Sequence, residues 1–193
     1  GAEKIINGIS DIDILINNVG TYQAKPFDDL SDEDWISLFN INVMSGVRLS
    51  RHYLPKMREK NWGRIVFISS ESGINIPVEM VHYGMTKAAQ LAISRGMAET
   101  TVGTNVTVNS VLPGPTASEA VESFLKDFAG GKEMSREEIE KEFFEKARPT
   151  SLLKRFSETK EIGDVVAFVC SPLASSINGA ALRVDGGVVK SMV

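Results

Sequence analysis

The chain has 193 residues, a length typical of one domain, with 42% hydrophobic and 24% charged residues. Its net charge of −4 is of mixed sign, which argues against nucleic acid as a partner, and no apolar run reaches the ~20 residues of a membrane span. A single cysteine, Cys170, excludes an internal disulfide and indicates a reducing, cytoplasmic compartment, and two histidines are too few for a typical metal site.

Apolar runs that alternate with helical periodicity predict an α/β fold. The runs predict buried strands at 12–17, 63–69, 105–112 and 180–186. Helical patterns fill residues 31–59, 80–101, 116–130, 135–147 and 158–172. The first long helix opens with a capping box at Ser31 and Asp34, and the segment before the first strand is typical of the end of a helix. This alternation predicts one domain, a parallel sheet with helices on both faces.

Three of the predicted strands end in unusual residues. The first ends in NNVG (17–20), the second in SSESG (69–73) and the third in PGPT (113–116). In open parallel sheets, ligands bind at the carboxyl ends of the strands, so three such ends side by side predict a crevice. Ordinary turn chemistry is the alternative, and it explains one of these ends more easily than all three.

Tyr83 and Lys87 lie four residues apart in the helix predicted at 80–101, so their side chains share one helix face. A free tyrosine has a pKa near 10, and a neighbouring cation favours the phenolate. We therefore expect Lys87 to lower the pKa of Tyr83 toward neutrality. A surface pair without function is the alternative.

Five features follow one another along the chain: the motif NNVG, Asn42, Ser70, the motif YGMTK and the motif PGPT. In this order they make the sequence resemble the short-chain dehydrogenase/reductase family, its ketoacyl-reductase-like members especially. Ser70 precedes Tyr83 by thirteen residues, a spacing usual in that family. The resemblance implies a Rossmann-like doubly wound parallel sheet, of which this chain holds the C-terminal part, about four strands. It also implies an oxidoreductase that transfers a hydride between NAD or NADP and a small carbonyl or secondary alcohol substrate.

The family's catalytic roles would fall on four residues. Tyr83 would be the general acid for carbonyl reduction and the base for alcohol oxidation, and Lys87 would supply the cation and hold the nicotinamide ribose. Ser70 would hydrogen-bond the substrate oxygen, with a simple turn role as the alternative. Asn42 would bind a water that links Lys87 to solvent, unless it is a surface residue of its helix.

The family's cofactor contacts would come from the strand ends. Asn18 and Gly20 would line the adenosine side, whereas Pro113, Gly114 and Thr116 would pass near the nicotinamide. Asn17 is more simply interpreted as structural.

The sequence departs from the family in one respect, because it contains no Gly-x-x-x-Gly-x-Gly turn before NNVG. We therefore expect this chain to hold the catalytic part of such an enzyme without the turn that binds the cofactor phosphates. By itself, this chain is expected to bind the cofactor weakly and to be inactive. A fragment that keeps only folding and oligomer surfaces is the alternative to an active oxidoreductase. An epimerase or dehydratase relative fits the motif PGPT less well.

Two further expectations concern surfaces. Residues 117–149, with Phe124, Phe128, Phe143 and Phe144, are predicted to form a helical lid over the substrate, although these rings could equally pack on the core. The resemblance also implies a homodimer or homotetramer.

Overall fold

The computed structural model describes residues 1–118, 121, 125, 130 and 134–192. The helices with described bounds are α1 (Ala2–Gly8), α2 (Asp32–Phe39), α3 (Ser45–Glu59), α4 (Val81–Glu99), α5 (Arg136–Lys146) and α6 (Thr159–Cys170). The strands are β1 (Ile14–Asn17), β2 (Gly63–Ile68), β3 (Val106–Pro113), β4 (Thr116–Ala117), β5 (Ser157–Glu158) and β6 (Ala181–Val184). The four predicted strands are thus confirmed, with no end shifted by more than two residues.

Within the described part of the chain, the main sheet has the order β1-β2-β3-β6 and all its strands are parallel. Strands β4 and β5 form a separate two-stranded parallel sheet. The predicted α/β fold with a Rossmann-like, doubly wound parallel sheet is therefore confirmed. Parallel strands that run side by side place their carboxyl ends, and the loops that follow them, at one edge of the sheet.

Both faces of the sheet are covered, which explains why strand β2 is a continuous apolar run rather than an alternating one. Ile65 and Phe67 face a core cluster to which α3 contributes Tyr53 and Met57. Val66 faces the opposite side, where it packs with residues of β3 and α6 in a second cluster. Because the two clusters hold β2 from both sides, its carboxyl end is a rigid support for the loop at 69–73.

The helix predicted at 31–59 is confirmed over residues 32–59, with a change of helical repeat inside it. It begins as predicted at the capping box, where the Ser31 side chain accepts a hydrogen bond from the Asp34 backbone N–H. Residues Asn40–Met44 then form a π-helical turn between α2 and α3. A π-turn inserts one extra residue into the helical repeat and turns the side chains that follow it. Asn42 in this turn is buried, so the surface interpretation of that residue is wrong.

The predicted lid at 117–149 lies partly outside the described residues, and Phe124 and Phe128 are among the positions left out. Its described part contains α5, on which Phe143 and Phe144 are buried against Phe156. These contacts show packing for two of the four predicted rings. Closure of the segment over a substrate stays a prediction.

Among the helices that the structure describes, none combines the length and the apolar character needed to cross a bilayer. The described residues also contain no group of three or more histidine, cysteine or acidic side chains placed to hold a metal ion.

Candidate active site

A cavity of about 300 Å³ lies at the carboxyl ends of β1, β2 and β3. The structure brings eight of the nine predicted site residues to its walls, and they are Asn18, Gly20, Ser70, Tyr83, Lys87, Pro113, Gly114 and Thr116. The ninth, Asn42, does not line the cavity. The three unusual strand ends of the sequence therefore form one crevice.

Lys87 is buried in this crevice, with 6% of its surface exposed. Its Nζ donates a 2.9 Å hydrogen bond to the carbonyl oxygen of Ile68, and it lies 5.6 Å from the centre of the Tyr83 ring. Removal of the ammonium group from water lowers the pKa of Lys87 to about 8. The helix face shared by Tyr83 and Lys87 is thus turned inward, and the interpretation as a surface pair is wrong.

The pKa of Tyr83 moves in the direction opposite to the one expected. Burial raises the pKa of Tyr83 to about 12, which outweighs the lowering by a hydrogen bond with Ser70. The physical reason is that desolvation penalises the phenolate, while the Lys87 ammonium sits beside the tyrosine ring and is bound to a backbone carbonyl. In this arrangement the phenol is held protonated at neutral pH.

Ser70 has a structural role together with its place in the cavity. It caps the short 3₁₀ turn Glu71–Gly73, where its Oγ accepts a 3.1 Å hydrogen bond from the backbone N–H of Ser72. The same side chain is hydrogen-bonded to Tyr83. The turn role and the predicted contact with a substrate oxygen are therefore compatible, because the turn holds the hydroxyl beside the phenol.

Asn42 acts as a clamp behind the cavity. Its side-chain Oδ1 accepts from the Thr21 backbone N–H at 2.8 Å, and its Nδ2 donates to the Thr21 carbonyl at 2.9 Å and to the Thr86 hydroxyl at 3.0 Å. Its own backbone carbonyl accepts a 2.6 Å hydrogen bond from Gln90 Nε2. Asn42 thus joins the loop after β1 to helix α4. A water held by Asn42 for Lys87 stays a prediction.

Of two glycines at the crevice, Gly114 allows a close approach that a side chain would prevent, whereas a Cβ on Gly20 would make only ordinary van der Waals contacts. A Cβ on Gly114 would lie 2.6 Å from the carbonyl oxygen of Asp185, a distance that real contacts do not show. A Cβ on Gly20 would lie 3.6 Å from both Lys87 Nζ and Asn42 Oδ1, in the gap between the loop and α4. Thr116 Oγ1 donates to the Gly114 carbonyl at 2.9 Å, which stiffens the loop after β3.

Asn17 is structural, in agreement with its sequence interpretation. It is buried, and its Nδ2 donates a 3.1 Å hydrogen bond to the hydroxyl of Ser50 on α3. This contact ties the end of β1 to the helix beneath it.

Sequence reasoning missed two charged residues of the cavity wall, Glu71 and Arg148. Glu71 carries a weak signal, because it is an acidic residue inside the motif SSESG at a strand end. Arg148 has no local signal, since it lies 77 residues further along the chain and reaches the cavity only through the fold. Met80 and Phe156 of the apolar wall were also missed, whereas Val121 and Phe143 come from the segment predicted to lie over the substrate.

These features agree with the comparison with protein families. A family model described as enoyl-(acyl carrier protein) reductase matches residues 2–189. The chain belongs to the short-chain dehydrogenase/reductase family, a family of oxidoreductases that bind NAD(P) on a Rossmann fold.

Three similar proteins are oxidoreductases or reductases by name. Over 187 residues, the chain is 49% identical to the uncharacterized oxidoreductase YvrD of Bacillus subtilis (strain 168), and the match covers 97% of this chain and 71% of that protein. It is 36% identical over 188 residues to the 3-oxoacyl-(acyl-carrier-protein) reductase FabG of Aquifex aeolicus (strain VF5), with 96% and 69% covered. The crystal structure of L-sorbose reductase from Gluconobacter frateurii, complexed with NADPH and L-sorbose, has a TM-score of 0.90 at 27% identity, covering 99% of this chain and 72% of that one.

Proposed function

We propose that the protein catalyses hydride transfer between NAD(P)(H) and a small carbonyl or secondary alcohol, as a ketoreductase or alcohol dehydrogenase. The observation that carries the proposal is the convergence of Tyr83, Ser70 and Lys87 on one cavity at the carboxyl edge of a parallel sheet. Similarity to a 3-oxoacyl reductase and to a sorbose reductase crystallised with NADPH supports the same class of reaction. Asn42 completes the proposed set as the residue that holds the loop after β1 against α4.

Tyr83 is the proton donor in this proposal. Because burial raises the pKa of Tyr83 to about 12, the phenol carries its proton at neutral pH and can give it to the developing alkoxide of a reduced carbonyl. Ser70, hydrogen-bonded to Tyr83, holds the same oxygen from the other side as charge develops. The two hydroxyls together define where the carbonyl oxygen sits.

The residues present fit the nicotinamide-ribose half of the cofactor. An ammonium group has three donors, and in the described part of the chain one of those of Lys87 is used on Ile68, which leaves donors for ribose hydroxyls. Gly114 and Gly20 keep the neighbouring backbone free of side chains. NAD(P)H supplies the hydride when it is bound, whereas the protein orients the substrate and delivers the proton.

The test is the oxidation of NADH and NADPH with a panel of small ketones and aldehydes. It is measured on a chain that also carries a Gly-rich phosphate-binding turn, because residues 1–193 by themselves are expected to bind the cofactor weakly. Tyr83→Phe removes the proton donor but keeps the ring, and we expect it to lower kcat by about 10²-fold or more. The matched control is Tyr53→Phe, which removes a 2.7 Å hydrogen bond to the Ile9 carbonyl far from the cavity and should leave kcat unchanged. Tyr83→Phe as fast as the wild type would contradict the proposal.

Assembly is a separate part of the proposal. We expect a homodimer or homotetramer, and light scattering of the purified protein measures it directly. A single species near 21 kDa, the mass of this chain, would contradict that expectation.

A further inference from the structure

A second cavity, of about 200 Å³, lies at the edge of the main sheet opposite to the candidate active site. We call it the amino-end cavity, because the starts of β2 and β3 form it together with the loop after α6. Its walls include Trp62, Arg64, Asn105, Val106, Pro172 and Ser175. Arg64 is the second residue of β2 and Ser70 follows the end of that strand, so a rise of about 3.3 Å per residue places the two cavities roughly 20 Å apart.

Arg64 is buried in the wall of the amino-end cavity, with 2% of its surface exposed. Its Nη1 donates 2.8 Å hydrogen bonds to the carbonyl oxygens of Gly63 and Asn105, and its guanidinium carbon lies 4.7 Å from the centre of the Trp62 ring. A guanidinium group has five N–H donors, so three donors, on Nε and Nη2, remain. Neither nitrogen has an acceptor in the part of the chain that the structure describes.

The two unpaired nitrogens of Arg64 differ in their access to solvent. Nε is closed off, whereas Nη2 is not among the buried side-chain atoms that lack a partner. Nη2 is therefore both free of a hydrogen bond and accessible. Because Arg64 lines the amino-end cavity, Nη2 is the donor that its guanidinium group offers to a ligand there.

The charge of Arg64 has no counter-charge nearby. No acidic side chain lines the amino-end cavity, and the described carboxylates form no ion pair with Arg64. Burial lowers the pKa of Arg64, and the Cys170 thiol is the titratable group that acts against this shift. Burial raises the pKa of that thiol, so it is uncharged at neutral pH. An arginine is seldom buried without a partner, because an isolated charge is costly in a protein interior.

The rest of the amino-end cavity suits an anion with a small apolar part. Asn105 and Ser175 are exposed, and their side chains make no hydrogen bond to any residue that the structure describes. An amide and a hydroxyl can both donate to an oxygen of a ligand. The Trp62 ring, Val106 and Pro172 supply apolar surface beside them.

We propose that the amino-end cavity binds a small oxyanion, a carboxylate or a phosphate, with Arg64 as the residue that pairs with its charge and with Asn105 and Ser175 as further donors. Guanidinium groups bind the oxygens of carboxylates and phosphates through charge-assisted hydrogen bonds. The inference does not depend on the proposed ketoreductase function, because no residue of the candidate active site takes part in it.

The experiment is an NMR titration of the wild-type chain with sodium butyrate and, separately, with inorganic phosphate. The indole N–H signal of Trp62 and the backbone signals of residues 105–107 should shift and saturate, whereas the signals of Ser70 and Tyr83 should not. Sodium chloride at the same ionic strength is the control for screening. The lower of the two dissociation constants tells whether the site prefers a carboxylate or a phosphate. A wild type in which neither oxyanion causes a saturable shift would overturn the inference, and this result requires no variant to fold.

Two exposed positions provide a matched pair of variants. Ser175→Glu places a carboxylate at the mouth of the amino-end cavity, where it repels an anion and competes for Arg64, so the dissociation constant should rise at least about tenfold. Ser176→Glu adds the same charge on the next residue, which is exposed but does not line the cavity, and should leave the dissociation constant unchanged. Equal weakening in both variants would show a general effect of charge and would overturn the proposed site.

Arg64→Gln removes the charge itself and should abolish the saturable shifts. Its control is Arg155→Gln, which removes an exposed arginine that is already paired with Glu161 and should leave binding unchanged. Saturable binding that survives in a folded Arg64→Gln protein would overturn the assignment of the charge to Arg64. If Arg64→Gln does not fold, the comparison of Ser175→Glu with Ser176→Glu decides the inference.

Discussion

The ammonium nitrogen of Lys87 donates a 2.9 Å hydrogen bond to the carbonyl oxygen of Ile68, the last residue of β2. This bond anchors helix α4 to the end of the central strand at the floor of the cavity. No carboxylate pairs with Lys87 among the described residues, so no opposite side-chain charge offsets its buried ammonium group. Such a charge costs stability, and the cost can be measured.

Lys87→Met should therefore stabilise the protein at pH 7 while it lowers activity. Burial lowers the pKa of Lys87 from 10.5 to about 8, so below pH 8 the folded protein carries a charge that the unfolded chain solvates better. Methionine of similar length removes it, and we expect a gain on the order of 1–3 kcal/mol in the free energy of unfolding. Urea unfolding at pH 7 measures the difference.

The cost of the buried Lys87 charge depends on pH. Between about pH 8 and 10.5 the unfolded chain binds the lysine proton and the folded protein does not, so wild-type stability rises through this window. The advantage of Lys87→Met should shrink over the same range. Lys160→Met, which removes an exposed lysine, is the control and should show no such trend. An advantage independent of pH would contradict the assignment of the cost to the buried charge.

Asn42→Ala should loosen the loop after β1. The substitution removes three side-chain hydrogen bonds to Thr21 and Thr86, and the expected loss is about 1–3 kcal/mol of unfolding free energy. Hydrogen exchange of residues 18–22 should accelerate, and the KM for the cofactor should rise, because the loop lines the cavity.

The control for Asn42 is Asn178→Ala. Asn178 also bonds a backbone N–H and a hydroxyl, those of Val108 and Thr101, away from the cavity lining. It should lower stability to a similar degree without changing exchange at 18–22. Equal exchange at that loop in both variants would count against the clamp.

Gly114→Ala should damage both folding and the site. The added Cβ would lie 2.6 Å from the Asp185 carbonyl oxygen, a backbone atom that cannot rotate away, so the end of β3 must move. We expect a loss of roughly 1–3 kcal/mol and a lower kcat/KM. Gly163→Ala is the matched control, because a Cβ there meets no atom within 4 Å and alanine favours helix α6 by about 0.5–1 kcal/mol. A Gly114→Ala protein as stable as the wild type would show that the contact relaxes at no cost.

The sequence by itself determined the features that depend on neighbouring residues. The apolar run 65–68 specifies β2, because a strand covered on both faces needs no polar positions. Ser31 and Asp34 specify the start of α2 through their own side chains. The spacing of Tyr83 and Lys87 specifies that they share a helix face, and the strand-end motifs specify which edge of the sheet holds the cavity.

Tertiary structure alone decided the features that depend on what covers a side chain. The pKa of Tyr83 rises rather than falls because burial outweighs the hydrogen bond with Ser70 and the charge of Arg148, and burial cannot be read from a spacing of four. The hydrogen bond of Asn42 to Thr86 and the pairing of Glu71 with Arg148 join segments far apart in the chain. Local patterns record the preferences of a segment, whereas desolvation and charge pairing arise only when distant segments meet.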